Sequence, residues 1–163
     1  MVLHNIDEAN FDAVAEIYAE GIETGKATFE TNVPSWSSWD DSHFPFGRIA
    51  AYITGNMLGW ASLSPVSSRC VYAGVAEVSV YVSQDARGKG VGKLLLESLI
   101  DISEENGIWT LQSGIFPSNT SSIALHEKCG FRKIGYRERI GKLRDNWYDN
   151  VLMERRSSII GIT

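Results

Sequence analysis

The chain has 163 residues, which is enough for one complete domain and short for two. Its net charge is −5, with 15 basic and 20 acidic side chains interleaved along the sequence, so we expect no nucleic-acid partner. No apolar run approaches a membrane span and the first residues lack the signal-peptide pattern, which predicts a cytoplasmic protein without a membrane partner. Cys70 and Cys129 lack metal-ligand spacing and the three histidines form no ligand pair, so we expect free thiols and no metal.

The first half of the chain alternates between strand and helix signals. A short strand near Val2–His4 precedes an amphipathic helix, and the segment from Gly21 to Trp39 has the composition of a loop with a short helix. Strands over Arg48–Ile53 and Met57–Leu63 then flank Gly55-Asn56, the signal of a two-residue hairpin turn. The apolar residues that predict the first helix are Phe11, Val14, Ile17, Tyr18 and Ile22.

The second half continues the alternation. A loop from Pro65 to Gly74 leads to Ala76–Val82, whose period-two pattern predicts a half-buried strand, and a helix over Val91–Glu105 ends at Asn106-Gly107. This helix is predicted to bury Val91, Leu94, Leu95, Ser98, Leu99 and Ile102. The last elements are a strand over Ile108–Phe116, a helix that opens at Ser118 or Asn119 and closes at Gly130, and strands over Phe131–Ile140 and Trp147–Arg155. The pattern predicts one α/β domain, residues 1–163, with a mixed sheet.

The turn between the Ala76–Val82 strand and the Val91–Glu105 helix is the most informative stretch of the chain. Its glycines let backbone N–H groups approach a ligand, and the helix N-terminus adds partial positive charge. Three basic side chains strengthen that field. We therefore predict a pyrophosphate site, with an ordinary glycine-rich turn as the alternative. The residues concerned are Arg87, Gly88, Lys89, Gly90, Val91, Gly92 and Lys93.

Two common phosphate-binding motifs do not fit this turn. A Walker loop requires Ser or Thr after Gly-Lys, but Leu94 follows Gly92-Lys93. A dinucleotide fingerprint requires a third glycine where Lys93 stands. What remains, Arg87-x-x-Gly90-x-Gly92, resembles the acetyl-CoA pyrophosphate loop of the GCN5-related N-acetyltransferases.

A second segment carries the same resemblance. Asn119 is followed seven residues later by His126 and then by Gly130-Phe131, which resembles the second signature of these acetyltransferases. Most of the superfamily has Tyr where His126 stands, and the substitution resembles the phosphinothricin acetyltransferase branch. The Ala27–Glu30 segment is similar to that branch's substrate loop, and Trp147-Tyr148-Asp149 is similar to its tail.

Two positions depart from the branch. The branch usually has Arg where Tyr148 stands, and often has Lys at the position of Leu143. Both differences bear on the identity of the substrate more than on the cosubstrate or on the reaction.

The resemblance implies a fold, a cosubstrate and a quaternary state. The fold would be a mixed, mostly antiparallel sheet flanked by helices, whose two central strands splay apart to admit acetyl-CoA. The backbone of Val80, Tyr81 and Val82 would pair with the pantetheine arm as an additional strand does, and its amides would stabilise the oxyanion. Asn119 would bond the same arm, with a helix N-cap as its other reading. A homodimer is implied as well.

Glu77 and His126 are the candidate catalytic residues. Glu77 lies mid-strand between apolar neighbours, which suggests a base poised by burial, and the resemblance places the general base at this position. The alternative is an outward-facing residue on the sheet. His126 could relay a proton from the amine or protonate the CoA thiolate, and the sequence leaves open whether it acts as acid or base. A satisfied core histidine is the alternative.

The acceptor is expected to be a small L-amino acid or an analogue such as phosphinothricin or methionine sulfoximine. Arg69 would bind its carboxylate, with a solvated surface arginine as the alternative. Tyr72 and Phe29 would be further contacts and Trp36 a pocket wall, with core packing as the alternative for Phe29 and Trp36. No activated Cys or Ser motif is present, so transfer should be direct. The alternatives are an acetyltransferase for a protein N-terminus or a polyamine, and a non-catalytic acyl-CoA-binding domain.

Overall fold

The computed structural model describes all 163 residues. It contains one seven-stranded sheet and four α-helices. The strands are β1 (Val2–Asn5), β2 (Arg48–Ile53), β3 (Asn56–Pro65), β4 (Val75–Val82), β5 (Thr110–Ile115), β6 (Arg132–Leu143) and β7 (Asn146–Arg156). The helices are α1 (Phe11–Glu23), α2 (Trp36–Ser42), α3 (Val91–Glu105) and α4 (Thr120–Lys128). None of the helices is both long and apolar enough to cross a membrane.

The sheet has the order β1-β2-β3-β4-β5-β7-β6, and only the β4–β5 pair is parallel. The α3 crossover joins these two strands, because parallel strands cannot be connected by a tight turn. All other neighbours are antiparallel, which confirms the expected mixed, mostly antiparallel sheet.

The two faces of the sheet carry separate cores because side chains alternate along each strand. Val78 and Leu63 belong to a core of 19 buried residues that includes the apolar side of α3. Trp60 and Ala50 belong to a core of eight buried residues that packs α1 and α2 onto the opposite face. The helices therefore cover both faces of the sheet, as expected.

Three details of the sequence prediction are wrong. The hairpin turn is Thr54-Gly55, both with positive φ, and Asn56 already pairs with Ile53, so Gly55-Asn56 is not the turn. The strand predicted to stop at Ile140 continues to Leu143 because a register shift between Arg137 and Gly141 lets β6 resume its pairing. Helix α3 packs on three strands, and its buried face is rotated about the helix axis relative to the predicted one. Leu94, Ser98 and Ile102 are therefore only half-buried. The fully buried residues of α3 are Val91, Leu95, Leu96, Leu99, Ile100 and Ser103.

The basic side chains are concentrated in the hairpin formed by β6 and β7. From the start of β6 to the end of β7 the chain has eight basic and four acidic residues, although the whole chain has a net charge of −5. The β6 strand is exposed along almost its full length and forms the edge of the sheet. Ile134, Tyr136 and Ile140 on β6 and Trp147 on β7 are exposed to between 42% and 61% of their surface.

Candidate active site

The turn between β4 and α3 presents backbone donors that the chain itself does not use. Gly88 and Gly90 have φ of +73° and +80°, and a Cβ at either would meet nothing within 4 Å. None of the six N–H groups of residues 88–93 donates a hydrogen bond within the chain, and Leu94 is the first to bond back, to the Gly90 carbonyl at 3.1 Å. Six consecutive free donors at the positive end of a 15-residue helix suit an anion such as a pyrophosphate.

The basic side chains of this turn differ in their pairing. Arg87 and Lys89 are exposed and take part in no ion pair. Lys93 lies 3.6 Å from Glu97, but both side chains are more than half exposed, so this pair contributes little. The structure thus brings all seven predicted residues, 87–93, to one solvent-facing turn.

Strands β4 and β5 separate beside Glu77. Their ladder is only three residues long, and Glu77 opposite Gln112 is its last pair. From Val78 to Val82, β4 pairs with β3 alone, so its other edge has no strand partner. The backbone of Val80, Tyr81 and Val82, predicted to pair with an extended ligand, therefore faces a real gap in the sheet.

Glu77 lies at the mouth of this gap. Its side chain shares a strand face with Ser79 and Tyr81, the face covered by α1. Glu77 is exposed, so the expectation of a base poised by burial is wrong. Its carboxylate Oε2 instead accepts a hydrogen bond from Gln112 Nε2 at 3.3 Å. No pattern in the sequence predicts a role for Gln112, because the pairing that places it there joins residues 35 positions apart.

His126 is buried, with 3% of its surface exposed. Its Nδ1 lies 2.7 Å from the Ser122 carbonyl, which can only accept, so Nδ1 carries a proton. Burial lowers the pKa of His126, and the bond to Ser122 offsets this in part, so the ring is neutral at physiological pH. Its Nε2 therefore holds a lone pair, and no group in the chain bonds it. An unpaired buried nitrogen is costly and is typical of functional sites.

The two catalytic candidates lie on different faces of the sheet. Helix α4 packs beside α3, and His126 contacts Phe131 of the α3-side core edge-to-face at 5.0 Å between ring centroids. Glu77 points to the α1 side, and the two residues share no hydrogen bond or bonding partner. They do not form a dyad, so any joint action must pass through a molecule bound in the gap.

Asn119 caps α4. Its Oδ1 accepts a hydrogen bond from Ser122 N at 3.3 Å, which shows the N-cap role. Its Nδ2 donates to the Lys26 carbonyl at 3.3 Å and so ties α4 to the loop between α1 and α2. A contact with a pantetheine arm stays a prediction.

The three residues predicted to contact the acceptor are not brought together. Phe29 packs edge-to-face on Phe116 at 4.6 Å and lies against Gly141, where a Cβ would be 2.4 Å from its ring. Arg69 is exposed in the loop before β4, with its guanidinium 5.7 Å from the centre of the Tyr72 ring. Arg69 and Tyr72 are near the end of β4 that carries Glu77, whereas Phe29 is held at the far side of the gap by β6.

A cavity of about 230 Å³ lies between β4 and the α1–α2 segment. Aromatic packing fixes its wall: Tyr81 stacks on Trp60 at 4.7 Å between ring centroids and meets Tyr18 edge-to-face at 4.9 Å. Burial is the main cause that raises the pKa of Tyr81, so its hydroxyl stays protonated. Trp39, not the predicted Trp36, reaches the cavity, since Trp36 packs on Phe11 and Trp39. The sequence analysis missed most of the lining, which includes Tyr18, Trp39, His43, Trp60, Ser79 and Tyr81.

Comparison with known proteins agrees with this geometry. The family model of the acetyltransferase (GNAT) family matches residues 11–131. A phosphinothricin N-acetyltransferase of Alcaligenes faecalis is 34% identical over 92% of this chain and 79% of its own. An L-methionine sulfoximine/L-methionine sulfone acetyltransferase of Pseudomonas paraeruginosa is 28% identical over 90% of this chain and 88% of its own.

A solved structure has a similar overall fold. The crystal structure of a GNAT superfamily phosphinothricin acetyltransferase from Sinorhizobium meliloti, in complex with acetyl-CoA, has a TM-score of 0.84 and 30% identity. The match covers 95% of this chain and 87% of that one. The splayed strands, the free donors of residues 88–93 and these matches lead to one conclusion: the chain belongs to the acetyltransferase (GNAT) family and is an N-acetyltransferase.

Proposed function

We propose that this enzyme transfers the acetyl group of acetyl-CoA to the primary amine of a small L-amino acid or analogue by direct attack. The observation that carries the proposal is the run of six unused backbone donors at residues 88–93, next to a sheet gap that begins at Glu77. The donors match a pyrophosphate and the gap matches a pantetheine arm. The thioester would then reach the end of β4 that carries Glu77.

Two protons must leave the acceptor during the reaction, since an ammonium group becomes an amide. We assign the first to Glu77, whose exposed carboxylate can reach the ammonium directly or through one water. Attack on the thioester carbon gives a tetrahedral intermediate, whose oxyanion would be stabilised by backbone N–H groups of Val80–Val82. When the C–S bond breaks, CoA leaves as a thiolate and the second proton remains to be moved.

We assign this second proton to His126. Because Nδ1 already carries a proton and Nε2 has a free lone pair, the resting imidazole is a proton acceptor. It would accept the proton at Nε2 and deliver it to the thiolate. A base with a lowered pKa releases its proton readily and therefore suits such a relay. One proton thus ends on CoA and the other reaches solvent through Glu77. No metal ion is required, and we expect activity to survive chelation with EDTA.

The acceptor class follows from the relatives and from the chain's charges. Relatives named for phosphinothricin and methionine sulfoximine share about 30% of the sequence, which favours a zwitterionic amino acid. Arg69 takes part in no ion pair and is free to bind a carboxylate. A peptide N-terminus or a polyamine is the competing acceptor.

We further propose a homodimer in the cytoplasm. The β6–β7 hairpin exposes an apolar strip with eight basic against four acidic residues, while the rest of the chain has seven basic and sixteen acidic residues. The hairpin of one copy is therefore complementary in charge to the remainder of another. Both cysteines are free thiols, which suits a reducing compartment. Light scattering should give twice the mass of 18.0 kDa.

The proposal is tested by CoA release from acetyl-CoA with a panel of amines. L-methionine sulfoximine and phosphinothricin should release CoA, and spermidine should not. Arg69→Ala should raise KM for the acceptor with little change in kcat, because it removes binding present in both ground and transition states. Lys128→Ala, at the exposed end of α4 and in no ion pair, is the control. A preference for spermidine or for a peptide, or an unchanged KM in Arg69→Ala, would contradict the assignment.

A further inference from the structure

The turn that carries the six free donors has few anchors of its own. No hydrogen bond within the chain holds the N–H groups of residues 88–93, so their position depends on the residues before and after them. Helix α3 follows them. A single helical turn, Gln84–Ala86, precedes them, and its Ala86 N donates to the Ser83 carbonyl at 3.0 Å. The Ser83 side chain stands at the cap position of this helical turn but makes no capping hydrogen bond.

A carboxylate from α1 supplies the missing cap. Glu20 Oε2 accepts a hydrogen bond from Gln84 N at 2.8 Å, although the two residues are 64 positions apart in the chain. No backbone carbonyl accepts from this N–H, and Glu20 takes part in no ion pair. A carboxylate that accepts from the first N–H of a helical turn makes a charge-assisted bond and caps that turn. Glu20 therefore holds the start of the segment that leads into the free donors.

Glu20 is carried by a helix that is fixed on both sides of the sheet gap. A Cβ at Gly21 would lie 2.8 Å from the Tyr81 ring, so the α1 backbone approaches β4 without a side chain between them. The segment after α1 is tied to the β5 side, where Asn119 Nδ2 donates to the Lys26 carbonyl at 3.3 Å. The carboxylate thus has a rigid support from which to hold the turn.

The charge of Glu20 opposes the ligand that this turn is expected to bind. Gln84 lies only four residues before Gly88, so a carboxylate stands close to a site for an anion. Arg87 and Lys89 make no ion pair with it and stay available to a phosphate. The negative charge therefore weakens pyrophosphate binding, and only the hydrogen bond to Gln84 favours it. An amide side chain, which keeps the oxygen and removes the charge, separates the two effects.

We propose that Glu20 is a positioning residue for the cosubstrate. Its carboxylate oxygen fixes Gln84 N and, through the helical turn, aims the donors of residues 88–93, without contact to acetyl-CoA or to the acceptor. The inference rests on the proposed function and deepens it, because it concerns the turn assigned to the pyrophosphate. Donors that are already ordered bind more tightly, since the entropy of ordering the turn is lost during folding and not during binding.

The test compares acetyl-CoA with S-acetylpantetheine, a donor that has the thioester and the pantetheine arm but no pyrophosphate. Glu20→Ala should raise Kd for acetyl-CoA about three- to tenfold, as expected for the loss of one hydrogen bond. It should leave kcat at saturating acetyl-CoA and kcat/KM for S-acetylpantetheine unchanged. Glu20→Gln should bind acetyl-CoA within about twofold of the wild type, because it keeps an oxygen acceptor. Glu16→Ala, at an exposed position one turn earlier on α1, is the matched control.

Hydrogen exchange of the Gln84 amide checks the bond directly. This N–H should exchange faster in Glu20→Ala than in the wild type, and at the wild-type rate in Glu16→Ala. Equal losses with the two donors, or equal losses in Glu20→Gln and Glu20→Ala, would overturn the positioning role. A lower melting temperature of Glu20→Ala with an unchanged Kd would do the same, since it is the result expected of a purely structural residue.

Gly90→Ala distinguishes failure of this inference from failure of the proposed function. Acetyl-CoA binding that is lost in Gly90→Ala but unchanged in Glu20→Ala would refute the inference alone. Binding that is unchanged in both variants would refute the pyrophosphate site, and the role of Glu20 with it.

Discussion

The cosubstrate side and the acceptor side of the candidate active site are built by different means. The cosubstrate side is one continuous stretch, from Val78 to Lys93, and offers mainly backbone groups. The acceptor side is made of side chains from α1, the α1–α2 segment, β3 and β4. Every residue supplies the same backbone amide, so the cosubstrate side depends on the glycine conformations that aim the amides, whereas a side-chain site can be altered at one position without loss of the fold. Specificity should therefore be separable from cosubstrate binding.

Glu77 lies where the two sides meet, so its replacement should have the largest effect. Glu77→Gln keeps the shape but removes the base, and the rate should fall by about 10²–10⁴-fold, the usual contribution of general acid–base catalysis. The loss should shrink as pH rises, because more of the amine is then already neutral. Measurement of kcat against pH tests this. Near-normal activity of Glu77→Gln at pH 7, together with an inactive His126→Phe, would reverse the two roles.

Gln112 provides a second way to test the position of this carboxylate. Gln112→Ala should lower kcat by about tenfold, because the carboxylate loses its bond at 3.3 Å. Affinity for acetyl-CoA should not change, since Gln112 lies at the closed end of the β4–β5 gap and is not part of the 88–93 turn. A fall in acetyl-CoA affinity alone would contradict a positioning role.

A change at Gly90 should damage the cosubstrate side alone. Gly90→Ala places a Cβ in the open space where a phosphate would approach the backbone, so it should remove the stabilisation that acetyl-CoA confers, about 2.7 kcal/mol at 100 times Kd. Gly107 is the matched control: its φ is +76°, a Cβ there also meets nothing within 4 Å, and it lies at the other end of α3. Both variants should lose similar stability without ligand. Equal melting shifts with acetyl-CoA in both would refute the pyrophosphate site.

A change at Gly141 should damage the acceptor side alone, with a smaller effect. A Cβ there would lie 2.4 Å from the Phe29 ring, so Gly141→Ala must displace Phe29 and the Ala27–Glu30 segment that contains it. Overpacking of this kind costs about 1–3 kcal/mol, and we expect KM for the acceptor to rise by about tenfold. Gly135→Ala, on the same strand with nothing within 4 Å, should leave KM unchanged. A changed acetyl-CoA affinity in Gly141→Ala would show that the two sides are not separable.

The smallest expected effect is the pH dependence of stability. Burial is the main cause that lowers the pKa of both His126 and His43 in the folded protein, so below about pH 6.5 the unfolded chain binds more protons. Their contribution to the free energy of unfolding is therefore complete at neutral pH. This contribution is lost as the pH falls from about 6.5 towards the lowered pKa values of the two rings in the folded protein.

Urea unfolding between pH 7.5 and 5.5 measures the slope of the free energy of unfolding against pH. His126→Gln should flatten it, whereas His4→Gln, at an exposed position in β1, should not. An unchanged slope in His126→Gln would mean that the buried ring is not neutral in the folded state.

The local elements could be predicted, and the contacts between distant segments could not. Helix α3 has the predicted bounds, and α4 begins after its Asn119 cap, because periodicity, caps and glycines act over a few residues. The turn at Thr54-Gly55 was misplaced by one residue, because a glycine and an asparagine signal the same kind of turn in either register. Gln112 and Trp39 reach the site through long-range pairing and packing, which leaves no pattern in the sequence.

The sequence by itself determined the family, the sheet with its crossover helix, and the residues of the phosphate turn. Each depends on a short continuous segment whose backbone geometry its own residues set. Only the tertiary structure decided that Glu77 is exposed and bonded to Gln112, and that His126 is neutral with a free Nε2. Burial, tautomer and charge pairing are properties of what surrounds a side chain, and those surroundings come from residues far apart in the chain.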